Sequence, residues 1–66
     1  MIAYNVNDMT CGHCVSAITQ AVKSVDAAAK VDIDLARHRV EIEPAAVDAK
    51  TLADAIREAG YTPLAA

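Results

Sequence analysis

No tryptophan and no phenylalanine occur in the 66 residues, and only two tyrosines, so any core has to be built from Val, Ile, Leu and Ala rather than from aromatic rings. Lys and Arg together number six against nine acidic residues, a formal net charge of −3. That balance argues against nucleic acid as a partner, because neutralising phosphates takes clustered cations. An acidic chain is better suited to a basic protein patch. No apolar run is long enough to span a bilayer. The first eight residues lack the basic start and unbroken apolar stretch of an export signal. The expected compartment is therefore the cytoplasm, where thiols stay reduced and a close cysteine pair reads as metal-binding or catalytic rather than as a staple. With two glycines, two prolines and no low-complexity tract or repeat, the chain offers no linker. A single domain over residues 1–66 is expected, with a small core and room for one modest site.

What is present is strongly patterned. Ile2, Tyr4 and Val6 alternate with Ala3 and Asn5, the period of a strand with one buried face. Asn7, Asp8 and Thr10 break that pattern. From about Gly12 to Ser24, Val15, Ile18, Val22 and Val25 recur at spacings of three and four, which predicts a helix. Val31, Ile33 and Leu35 alternate with Asp32 and Asp34. After the polar turn Ala36–Arg39, Val40 and Ile42 alternate with Glu41 and Glu43, so the two runs read as a hairpin ended by Pro44. Asp48 suits an N-cap for a second helix with Leu52, Ala55, Ile56 and Ala59 inward, and Gly60 suits its left-handed end. Tyr61 to Leu64 is expected as a short last strand, at an edge because Pro63 cannot donate to a ladder. Strand, helix, strand, strand, helix, strand is the split βαβ order: an α+β, ferredoxin-like βαββαβ sandwich, a four-stranded antiparallel sheet with two helices on one face.

The chemistry lies in Cys11-Gly12-His13-Cys14, a stretch that serves disulfide oxidoreductases and soft-metal sites alike. Cys11 is expected in the loop after the first strand and Cys14 in the first helical turn, where unpaired N–H groups and the helix dipole favour thiolate. A redox enzyme of this type needs a thioredoxin fold, larger than this chain supplies, with an aromatic neighbour and a cis-proline. Here Thr10 precedes Cys11, and Pro44 falls in the wrong place in the element order. A closed zinc site needs four ligands, and beyond the thiols the chain offers only His13, His38 in what reads as a distant hairpin turn, and carboxylates. Two thiolates without further obligatory ligands suit Cu(I), and leave room for a partner's thiolate.

Met9-Thr10-Cys11-x-x-Cys14, the helical Val15, Ile18 and Val22, Val31-x-Ile33-x-Leu35 and the Ala59-Gly60-Tyr61 ending together resemble the heavy-metal-associated (HMA) domains, most of all the small bacterial copper chaperones. The resemblance covers nearly the whole chain. It implies Cu(I) bound by Cys11 and Cys14, passed by ligand exchange to the metal-binding domain of a copper-transporting P-type ATPase, with no catalysed reaction. The open two-ligand surface site itself leaves room for a copper-bridged dimer of a chain expected to be monomeric without metal, with His13 as an extra ligand. Met9 reads as a buried anchor of the metal loop rather than a ligand, His13 as exposed with an accessory role, and Tyr61 as a shield over the thiolates. His38 reads as part of a solvated turn, and Asp32, Asp34, Glu41 and Glu43 as an exposed sheet face. Where many members carry glycine, this chain has Asp8 before Met9 and Ala27 after the first helix. The alternatives are an N-terminal domain of a P-type metal ATPase, a zinc- or mercury-binding relative, and a small thiol-disulfide oxidoreductase.

Overall fold

Alternation of side chains along Ile2–Asn5 forms the first strand, β1, which turns Tyr4 into the core. In the computed structural model, which describes residues 2–66, helix α1 follows at Gly12–Val25, strands β2 at Lys30–Asp34 and β3 at Arg39–Glu43, helix α2 at Ala49–Glu58 and a two-residue β4 at Leu64–Ala65. Met1, part of the single domain expected over 1–66, lies outside the described residues. The sheet order is β2-β3-β1-β4 with every pair antiparallel. Register is pinned by apolar residues that share the buried face: Ile2 opposite Ile42, Tyr4 opposite Val40, Val31 opposite Ile42. Both helices cover that face, and the fold is the ferredoxin-like sandwich expected.

The core is one cluster of Tyr4, Val6, Met9, Ile18, Val22, Ala29, Val40, Ile42, Leu52, Ala53 and Ile56. Three details depart from the sequence pattern. Val25 is exposed because it closes the last turn of α1, beyond the reach of the sheet. In α2 the inward place expected of Ala59 goes to Ala53, since Ala59 is already the C-cap. The last strand begins at Leu64, not Tyr61, and pairs Asn5 with Leu64 and Tyr4 with Ala65, so Pro63 stands just outside the ladder.

One buried charge does structural work that the pattern does not reveal. Asp26, at the C-cap of α1, is 4% exposed, and its Oδ2 accepts the backbone N–H groups of Ala45 at 2.8 Å, Ala46 at 2.9 Å and Val47 at 3.4 Å. These bonds tie the end of α1 to the loop leading into α2 and, the Ala46 bond foremost, hold the carboxyl below its ordinary value. A depressed carboxyl contributes stability that is present above its unfolded value near pH 4 and is lost as pH falls through the folded one. Asp26→Asn is expected to lower the melting temperature at pH 7 by on the order of 10 °C and to flatten the acid limb of stability below about pH 4. Thermal melts of both proteins from pH 2 to 8 check this; parallel acid limbs would show that Asp26 is not the group responsible. The glycine missing after α1 is not needed, because the Asp26 to Ala29 turn closes by a 3.1 Å backbone bond and neither Ala27 nor Ala28 takes a positive φ.

Candidate metal centre

Strand order places the site. β1 and β2 run in the same direction and β3 against them, so the β1–α1 loop, the β2–β3 turn and the α2–β4 loop all lie at one end of the sheet. Pro44, which follows β3, lies at the other end, as far as the topology allows from the cysteines.

Cys11 is the N-cap of α1, in extended conformation (φ −150°, ψ 169°), and its carbonyl accepts the N–H groups of Cys14 at 3.1 Å and Val15 at 3.3 Å. Its side chain caps nothing and is exposed. Cys14, one turn into the helix, is half-buried, and the free thiols stand 3.3 Å apart, sulfur to sulfur. The Cys14 thiol is lowered to about 6, first by the Tyr61 hydroxyl, then by the Thr10 backbone and by the Cys11 thiol. Tyr61 is pushed up to about 12 by the same contact, and so keeps its proton as a donor at neutral pH.

Tyr61 owes its position to the end of α2. The Tyr61 N–H donates to the Ile56 carbonyl at 3.3 Å and the Gly60 N–H to the Arg57 carbonyl at 3.0 Å, the two bonds of a Schellman motif, with Gly60 at φ 98°. A side chain at residue 60 is disfavoured by that φ. Two residues further, Thr62 N–H donates to Asp8 Oδ1 at 3.2 Å, so the aspartate standing in place of a glycine latches the two loops together.

Met9 is fully buried in the core cluster, as an anchor is, while His13 is exposed between the cysteines. Among the described residues no group of three or more His, Cys, Asp or Glu side chains is gathered for a metal, so the two thiols form an open pair. His38 is the residue that sequence reasoning misplaced. It sits not in a distant turn but at the same end as the cysteines, with Nδ1 2.8 Å from the Met9 carbonyl oxygen. The element order carried that signal, because in a βαββαβ sandwich the middle hairpin turn must face the first loop.

The lowered Cys14 thiol gives a pH test. Alkylation of Cys14 by iodoacetamide, followed by peptide mass spectrometry, is expected to rise with pH through a midpoint near 6. Tyr61→Phe, which removes the largest cause of the shift, is expected to move that midpoint upward. An unmoved midpoint would remove the hydroxyl from the account.

A ferredoxin-like sandwich that presents an open dithiol on the first turn of its first helix defines a class of small metal-binding domains. The chain belongs to the heavy-metal-associated domain family, whose model matches residues 3–62. It is 34% identical over 59 residues to the copper chaperone CopZ of Staphylococcus aureus, covering 86% of this chain and 87% of that one. Among solved structures, a gold-binding protein superposes with a TM-score of 0.93 at 32% identity over the whole of both chains. The Cu2 form of the copper chaperone Atx1 from Synechocystis PCC6803 superposes at 0.90 with 35% identity, over 96% of this chain and 98% of that one. No helix here is long and apolar enough to cross a membrane among the described residues.

Proposed function

We propose that the protein is a cytoplasmic copper carrier, a single domain that holds Cu(I) between Cys11 and Cys14 and passes it by ligand exchange to a similar domain of a copper-transporting P-type ATPase. The observation that carries this is the open pair: two free thiols 3.3 Å apart, one of them lowered to about 6, with no third side chain among the described residues gathered to close the site. The copper chaperones among its relatives support copper as the cargo.

Soft thiolates select a soft monovalent ion, and two of them satisfy it where zinc would want four ligands. With metal–sulfur bonds of about 2.3 Å, a linear arrangement needs the sulfurs about 4.6 Å apart, so the two thiols must move apart from their present 3.3 Å to accept the ion. Cys11, exposed and unbonded as a cap, is free to make that movement, and Cys14 is the fixed member, its thiolate favoured by Tyr61. On the Cys11 side an acceptor thiolate reaches the ion, forms a three-coordinate bridge, and one chaperone sulfur leaves as the second acceptor sulfur binds. No covalent bond of protein or substrate is broken, and no catalysis is involved. The same exposure lets a second copy share the ion, giving a copper-bridged dimer from an apo monomer, with the exposed His13 beside the shared ion.

The test is an anaerobic titration of the reduced protein with Cu(I) against a competing chelator, with Zn(II) in parallel. Retention of one copper per chain or per pair, with zinc bound far more weakly, is the expected result. Loss of copper to the chelator together with tight zinc binding would overturn the copper reading in favour of a zinc-handling relative; retention of neither metal would return the dithiol to redox chemistry.

A further inference from the structure

We propose that His38, in the β2–β3 turn, is a positioning residue that sets the metal loop from outside it. The inference rests on the copper-carrier reading for its consequence, but its first observable does not involve metal.

Three observations converge on it. The Met9 carbonyl can only accept, so the 2.8 Å contact requires His38 Nδ1 to carry the proton, and that nitrogen is a donor in the neutral Nδ1–H tautomer and in the charged imidazolium alike. In return the His38 carbonyl accepts the Val6 N–H at 2.7 Å. The turn and the loop are thus bonded in both directions, at the two residues that bracket Asn7 and Asp8. Finally, His38 takes a φ of 55°, and is the only non-glycine with positive φ among the described residues. That region costs a side chain and suits glycine or asparagine. Histidine is among the few side chains enriched in that region, and here it is half-buried and bonded to the metal loop.

Its effect reaches the thiols through Met9. The Met9 side chain is fully buried, its N–H donates to the Val6 carbonyl at 3.1 Å, and its carbonyl is held by His38. Only Thr10 separates this fixed residue from Cys11. With the brace in place, the start of the segment that carries Cys11 is immobile and the opening needed for metal falls on Thr10 and Cys11 themselves. Without it, the Met9–Thr10 peptide is free to turn and the spacing of the two sulfurs is no longer set.

Two substitutions separate this role from a plain contribution to folding. His38→Gly removes the imidazole while relieving the positive φ, so the fold should keep its thermal stability. His38→Asn tolerates the same φ and places an amide donor at the position of Nδ1. On the apo proteins, amide hydrogen exchange at Met9 and Cys14, whose N–H groups are hydrogen-bonded, is expected to speed up about tenfold in His38→Gly, the loss of one hydrogen bond, and to return toward the native rate in His38→Asn. On the copper-loaded proteins, transfer of Cu(I) to a chelator should be correspondingly faster for the glycine variant and restored by asparagine. Unchanged loop exchange in a folded His38→Gly would overturn the proposal, as would an asparagine variant no better than glycine. If loop exchange responds as expected and native protein holds no copper, the brace stands and the copper reading alone fails.

Discussion

Replacing both Cys11 and Cys14 with serine is expected to weaken Cu(I) binding by more than about 100-fold, since loss of a mere supporting partner of a metal ligand already costs about 10–100-fold. Serine oxygen is a hard, protonated donor at neutral pH and does not compete for a soft ion. The same change should leave the fold intact or firmer. Cys11 occupies an extended N-cap position whose side chain makes no capping hydrogen bond, and Cys14 is only half-buried. A serine at residue 11 can cap α1, a gain of up to about 1 kcal/mol. Copper competition and a thermal melt on the double variant, side by side, check both halves. Lost copper binding with a raised or equal melting temperature is the outcome expected; a variant that still retains copper would move the site away from the dithiol.

Shortening Met9 to alanine is expected to destabilise the protein by about 2–5 kcal/mol, the range for emptying a fully buried site. A chain of this size has roughly 3–10 kcal/mol to lose, so Met9→Ala should be partly unfolded at room temperature or melt far lower than the native protein. Met9→Leu keeps the volume and should cost less than about 1.5 kcal/mol. The pair also decides between anchor and ligand. If Met9 only packs, Met9→Leu binds copper as tightly as the native protein; if its sulfur coordinates, that variant loses affinity while remaining folded. The buried side chain and its place beside Ile18, Val22, Leu52 and Ile56 in the core cluster argue for the anchor. Denaturant melts of both variants, with copper competition on Met9→Leu, give the answer.

Sequence by itself determined the order of elements and most of the core. Side-chain period is a local property, so the alternation through Tyr4, Val40 and Ile42 and the helical spacing of Ile18, Val22, Leu52 and Ile56 were readable without any partner in view. Asp48 as the cap of α2, accepting the Thr51 N–H at 2.9 Å, and Gly60 as its left-handed end were equally local. So was the placing of Cys11 and Cys14 at the start of α1, because a cysteine pair three residues apart is written within one helical turn.

Tertiary structure decided what depends on groups far apart in the chain. The Asp26 clamp on Ala45 to Val47, the Asp8 latch to Thr62 and the His38 brace on Met9 join residues about 20, 54 and 29 positions apart, and a polar side chain carries no periodic mark of the backbone group it will meet. The same holds for the Cys14 thiol, whose lowering comes first from Tyr61 across the α2–β4 loop. Apolar burial is non-directional and announces itself as a pattern. A hydrogen bond is directional and pairwise, so its partner exists only once the chain has folded.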